Sequence, residues 1–311
     1  MIPNLITQSR APNTLKKYNC YLKKWLEWCS KFQDIYPLPT KVQYIVLFIV
    51  ASFQNGKSFT SIEATVSAIK YFHSLINVNF TGNSMVKHVL EGIKRISKHK
   101  SKLALTVEQL SLACRFLSKK LSVKSLRMKV IMILSFAGFL RFSECQHIRR
   151  SDIKFFQDYA MIFIEKSKTD FYREGHWVLI ARTNTELCPI MNLIQYINRV
   201  GINALSDEFI FSSTKRLQTL RKKDVPISYS SIRDQFVLTL KSIGLNSKLY
   251  GLHSLRSGGA SAAANMGVKD RLNQKHGRWK TVGVKKTVGV KNKYISEDID
   301  SLLFISRNLG L

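Results

Sequence analysis

Carboxylates are scarce in this chain: 20 aspartates and glutamates stand against 49 lysines and arginines. No trio of acidic residues suggests a seat for catalytic metal ions, so neither a metal nor any other cofactor is expected. The five cysteines (Cys20, Cys29, Cys114, Cys145, Cys188) are odd in number, widely spaced and without a C-x-x-C pair. A disulfide framework and a zinc site are both disfavoured, and reduced thiols in an intracellular protein are expected. Long apolar runs are also lacking. The longest, Tyr44 to Ala51, falls far short of the roughly 20 residues that a bilayer span needs. Polar residues follow Met1-Ile2-Pro3-Asn4 with no charged start and apolar stretch, so a secretory signal is not expected.

What is present is positive charge, a formal net +29 over 311 residues. Such an excess opposes compaction unless a polyanion offsets it. The basic residues are spread along the chain and are not gathered on one amphipathic helix. Nucleic acid therefore fits better than a membrane surface. A hydrophobic content of 45% supplies a sizeable core, and the length suits about two domains of ordinary size.

The first hundred residues read as helices. Leu15, Tyr18, Leu22, Trp25 and Cys29 step by three and four between Asn13 and Phe32, the stripe of an amphipathic helix. Lys16 and Lys17 lie off that stripe and are candidate phosphate contacts, or simply a solvated face. Thr40 to Gln54, Ser58 to Leu75 and Ser84 to Ile96 read as three more helices, with Pro37, Pro39 and Asn55-Gly56 as breaks. A basic stretch follows, with Lys94, Arg95, Lys98, Lys100 and Lys102. It reads as an interdomain linker that would lie along a phosphate backbone. The expected division is residues 1–97 and residues 98–311.

The second domain reads as mainly α with a small β-sheet. Thr106-Val107-Glu108-Gln109 is patterned as a capping box, and a buried helix runs from Val130 to Phe139, ending at Arg141-Phe142-Ser143-Glu144. Tyr159–Ile164 and His176–Ile180 read as a β-hairpin. A helix from Cys188-Pro189 to Val200, a short strand at Phe209–Phe211 and a helix at Ser230–Ile243 complete this part.

The stretch from His253 to Tyr294 carries the chemistry. His253 and Arg256, three residues apart, fall on one side of a helix and are both expected to face a single anion. Trp279 adds an indole N–H, and Tyr294 a phenol able to act as a nucleophile. Donors of several kinds and one hydroxyl, with no metal cluster nearby, suggest attack on a phosphodiester.

Arg141-x-x-Glu144, Lys168 within Ser167-Lys168-Thr169-Asp170, His253-x-x-Arg256, Trp279 and Tyr294 form an ordered series that resembles the tyrosine recombinase, or phage integrase, family. The wording Gly277-Arg278-Trp279-Lys280 and Leu187-Cys188-Pro189-Ile190 is most similar to recombinases of eukaryotic tyrosine-recombinase retrotransposons. The resemblance implies an N-terminal four-helix DNA-clamping domain ahead of a mixed α/β catalytic domain. It also implies a double-stranded DNA substrate, a tetramer on paired sites and no small-molecule cofactor. Location would be nuclear in a eukaryotic host and otherwise intracellular on DNA. In the implied chemistry Arg141 and Arg256 grip the non-bridging oxygens, with His253 and Trp279 as further donors. Lys168 is the general acid and Tyr294 forms a phosphotyrosine. Glu144 orients Arg141, and His276 supports the helix end. Lys166 lies two residues from Lys168, and only the resemblance chooses between them. A type IB topoisomerase shares this chemistry.

One feature departs from the family. Lys280–Lys285 reads Lys-Thr-Val-Gly-Val-Lys, and Lys286–Lys291 repeats it unchanged. Trp279 and Tyr294 are therefore 15 positions apart, and removing one six-residue copy leaves 9, the family's usual interval. If both copies stay helical, six residues add about 9 Å and roughly 240° of rotation. The expected alternative is thus a DNA-binding descendant whose nucleophile is displaced. After Tyr294, a last helix with Leu302, Leu303 and Phe304 is expected, by the resemblance, to dock on a neighbouring protomer.

Overall fold

The computed structural model describes residues 9–78, 83–97, 101–165, 174–212, 224–279 and 299–311. The chain divides into two compact units, residues 1–100 and 101–311. Among the described residues, no helix is long and apolar enough to cross a membrane.

The first unit is four helices: α1 (Pro12–Cys29), α2 (Val42–Gln54), α3 (Phe59–Ser74) and α4 (Ser84–Ile96). Trp25 and Cys29 of the α1 stripe meet Ile45 and Ile49 of α2, Ile62, Val66 and Ile69 of α3, and Ile93 of α4 in one core. Two buried polar groups pin its edges. The Trp25 indole N–H donates to the Pro37 carbonyl at 3.0 Å, and His73 Nε2 accepts from the Thr40 amide at 3.1 Å. The basic stretch begins inside α4, which ends at Ile96 as its sequence reading has it. Lys94, Arg95 and Ile96 form the last turn of α4, because Ile93 is buried and holds that turn on the core.

The second unit begins with α5 (Val107–Ser118), whose Thr106–Gln109 capping box forms as its spacing requires. Then come α6 (Val123–Ala137) and the single turn α7 (Phe142–Cys145). A three-stranded antiparallel sheet follows, ordered β1 (Ile153–Phe155), β2 (Tyr159–Ile164), β3 (His176–Ala181), with Ile162 opposite both Ile153 and Val178. Helices α8 (Pro189–Val200), α9 (Tyr229–Ser242), α10 (His253–Asn265), α11 (Asp270–Gly277) and α12 (Ile299–Asn308) complete it. The molecule is mainly helical with this one small sheet, as its periodicities suggest.

Helix α6 is the spine of this unit, buried continuously from Arg127 to Ala137. Helix α10 lies against it unusually closely, for a reason written in Gly258-Gly259. A Cβ at Gly258 would stand 2.1 Å from the Leu105 carbonyl oxygen, and one at Gly259 2.1 Å from that of Phe136. Only glycine permits this approach, and it brings Arg256 beside the C-terminal end of α6.

One expectation differs from the fold. Phe209–Phe211 is not a regular strand: Phe209 makes an isolated bridge to Arg149, the Ile210 amide donates to the Ile148 carbonyl at 2.9 Å, and the Phe211 carbonyl accepts from the Ile227 amide at 2.8 Å, without a continuous ladder. Within the single chain described, helix α12 packs on its own unit, the other reading open to this helix. Ser306 Oγ accepts from the Ala181 amide of β3 at 2.8 Å, and Ile305, Leu309 and Leu311 enter the core.

Candidate active site

The α6–α7 connection is the floor of the site. Helix α6 stops at Gly138, and Phe139 then adopts φ +47°, a left-handed conformation that a residue with a Cβ enters reluctantly. Its ring stacks on Trp279 at 6.3 Å between centroids and meets His276 edge-on at 4.6 Å. Its carbonyl accepts from both Arg256 and Arg278. Those contacts hold the strained residue in place and set Arg141 immediately after it.

Glu144 is the hub. Its side chain is 1% exposed and is ringed by three guanidiniums, with nitrogen–oxygen distances of 2.6 Å to Arg141, 2.9 Å to Arg278 and 3.5 Å to Arg256. It also accepts from the Arg141 backbone N–H at 2.9 Å, closing a capping box across α7. Burial alone would raise its pKa. Arg278, and then the backbone and side chain of Arg141, outweigh that effect and hold the carboxyl below its ordinary range. It therefore stays ionised. Three guanidiniums against one carboxylate leave two positive charges in excess, the electrostatics of an anion site.

The two arginines of the expected pair are presented differently. The Arg141 side chain is 18% exposed, whereas that of Arg256 is 2% exposed. Arg256 donates to the carbonyls of Phe139 and Gly277, the latter at 2.5 Å, and its guanidinium lies 5.5 Å from the Trp279 ring centroid. Burial, then repulsion from Arg141, brings its pKa down to about 10. His253, by contrast, is exposed at the start of α10. The two residues of the H-x-x-R pair thus differ in exposure, one on the surface and one buried. Buried carbonyls hold the Arg256 guanidinium, that of Phe139 being shared with Arg278.

His276 is buried, and its Nε2 donates to the Ala137 carbonyl at 2.7 Å. Burial chiefly, with repulsion from Arg278 and Arg256, drives its pKa down to about 4, so it is neutral near pH 7. It ties the last turn of α11 to the end of α6.

Arg278 is the residue that sequence reasoning missed. It caps α11 in a left-handed conformation at φ +55° and is 5% exposed at its side chain. It donates to the carbonyls of Gly138 (3.2 Å), His276 (3.0 Å) and Phe139 (3.1 Å) as well as to Glu144. An arginine just past a helix end reads as surface. The available signal was Gly277 between two bulky residues: a Cβ there would come within 2.8 Å of the Trp279 ring.

The structure thus brings Arg141, Glu144, Arg256, His276 and Trp279 together. Lys168, Tyr294 and the repeated hexamer lie outside the described residues, as do Lys98 and Lys100. Of the other candidate DNA contacts, Lys16 and Lys17 are exposed on α1 and Lys94 and Arg95 on α4. Lys102 is exposed and its ammonium donates to the Lys248 carbonyl at 2.5 Å.

Comparison with known proteins agrees with this geometry. The model of the phage integrase family matches residues 104–286, and that of the phage integrase N-terminal SAM-like domain matches residues 4–76. An integrase/recombinase xerD homolog from Selenomonas ruminantium is 30% identical over 270 residues, covering 83% of this chain and 76% of that protein. Among solved structures, the XerH site-specific recombinase bound to palindromic difH substrate in its post-cleavage complex superposes with a TM-score of 0.62. It has 15% identity and covers 90% of this chain and 76% of the other. A lambda integrase dimer bound to a COC' core site gives a TM-score of 0.58 at 18% identity, covering 93% and 75%. The ordered arginines, the buried carboxylate between them and these matches along both units have one explanation: the chain belongs to the phage integrase family of tyrosine recombinases.

Proposed function

We propose that this protein cuts, exchanges and rejoins double-stranded DNA at specific sites through a 3′-phosphotyrosine intermediate, as a tetramer on paired sites. The observation that carries this reading is the convergence of Arg141 and Arg256, from distant parts of the chain, on the one buried carboxylate of Glu144. The phosphate exchanges the carbonyl bonds of Arg256 for bonds to its own non-bridging oxygens, beside the more open Arg141. His253 and Trp279 add donors to the charge that develops there. The Tyr294 oxygen bonds to phosphorus as the 5′-oxygen leaves with a proton from Lys168, so the phosphoryl bond is conserved without a metal or nucleotide. Glu144 positions Arg141, and His276 positions the α11 end. Lys16, Lys17, Lys94, Arg95, Lys98, Lys100 and Lys102 contact the DNA backbone. The motif wording resembles that of retrotransposon-type recombinases, and on that reading its site of action would be nuclear.

A second reading rests on the unchanged repeat of Lys280–Lys285 at Lys286–Lys291. The added residues displace Tyr294, leaving a protein that grips DNA without cutting it. One experiment separates the two. A pool of nicked duplexes traps covalent protein–DNA adducts on a denaturing gel, for the native chain, Tyr294→Phe and a one-copy deletion. Adduct from the native chain, lost in Tyr294→Phe, supports the enzyme. Adduct from the deletion alone supports the displaced nucleophile. Adduct that survives Tyr294→Phe refutes Tyr294 as the attacking group in either case.

A further inference from the structure

At the far end of α6 from Arg141 the chain builds a second concentration of positive charge. The helix spans 15 residues, about 20 Å at its usual rise, so the two ends are separate places. There a cleft of about 400 Å³ opens between the end of α5, the start of α6 and one face of α8. Lys129 stands in its wall and is 7% exposed. Its ammonium adds a positive charge to the cleft lining. Cys114, close enough to feel that charge, offers no compensation: burial pushes its thiol up to about 12. Glu186 acts on the same thiol but is exposed and forms no ion pair with Lys129. A positive charge in a cleft whose described lining holds no carboxylate favours a bound anion.

The rest of the cleft has matching chemistry. Lys120 and Arg199 stand exposed at its rim, and no carboxylate lines it among the described residues. Ser122 caps α6 through its hydroxyl, which accepts from the Ser125 amide at 3.1 Å. The first-turn amides before Ser125 have no helical acceptor, and the helix end favours negative charge. Leu117, Leu121 and Leu126 form an apolar wall. A cleft of this volume holds an organic ligand and not merely an inorganic ion.

We propose that this cleft binds a small phosphorylated molecule of nucleotide size, with its terminal phosphate on Lys129, Arg199 and Lys120 and its organic body against the leucines. Magnesium-free ADP is the probe, titrated calorimetrically into the full chain. Ionic strength is fixed with KCl, because a net charge of +29 attracts any anion. ADP binds saturably at one site, inorganic phosphate displaces it, and adenosine does not bind. Lys129→Met and Arg199→Gln each weaken ADP about tenfold or more, as loss of a charge-assisted hydrogen bond does. Arg141→Gln leaves the affinity unchanged. Absence of saturable binding overturns the proposal, as does unaltered affinity in either cleft variant. Loss of binding in Arg141→Gln would assign the ADP to the arginine cluster and also overturn it. Without ADP, Lys129→Met melts at or above the native temperature, because one positive charge has left a chain of net charge +29. A large drop would mean that the protein already satisfies Lys129, and the proposal would fall.

Discussion

Glu144→Gln probes the centre of the arginine cluster with almost no change in shape. The glutamine keeps an acceptor for the Arg141 backbone N–H but removes the charge that three guanidiniums share at 2.6, 2.9 and 3.5 Å. Two of those side chains are nearly inaccessible to water, 5% exposed for Arg278 and 2% for Arg256. Breaking such a buried pair costs about 3–5 kcal/mol, since the partner charges remain buried. Arg141 is partly open and contributes less. For a unit of this size, each kcal/mol moves the melting temperature by about 2–4 °C, so a fall of roughly 10 °C is expected. The assay is thermal unfolding followed by circular dichroism from pH 7 to pH 3. The folded pKa of Glu144 lies below its unfolded value, so its stabilisation is complete above the unfolded value and is lost as pH falls through the folded one. The gap between native and variant therefore holds down to about pH 5 and closes in stronger acid. A variant melting within two or three degrees of the native chain at pH 7 would refute the reasoning. So would a gap that stays constant to pH 3.

Two further outcomes test the same frame. His276, with its pKa depressed to about 4 in the fold, stabilises the neutral form. Its contribution, on the order of 3 kcal/mol, is present above pH 6.5 and is lost as pH falls toward 4. Urea unfolding at closely spaced pH values should show that slope in the native chain and not in His276→Gln; an identical slope in both would remove His276 as its source. Gly259→Ala forces a Cβ to 2.1 Å from the Phe136 carbonyl oxygen and should destabilise by about 2–3 kcal/mol through overpacking, measured by denaturant titration. Unchanged stability would mean that α10 shifts freely on α6, contrary to the close packing described.

Much of this protein was legible in the sequence because the relevant forces are local. The α1 stripe, the Thr106–Gln109 box and the alternation of Tyr159–Ile164 each report their own backbone, and each element formed within a few residues of expectation. The order of Arg141, Glu144, Arg256 and Trp279 was readable too, as a resemblance. Three things were decided only by the tertiary structure. Arg256 turned toward the Phe139 and Gly277 carbonyls because those oxygens are buried beside it, a fact held by chain segments far away in sequence. Arg278 became the third partner of Glu144 because the left-handed end of α11 aims it inward, a role that the sequence pattern does not assign. Helix α12 found a backbone donor on β3 and a place in the core of its own unit. Periodicity and charge reveal which faces need covering, but which distant group covers them depends on packing that no local window contains.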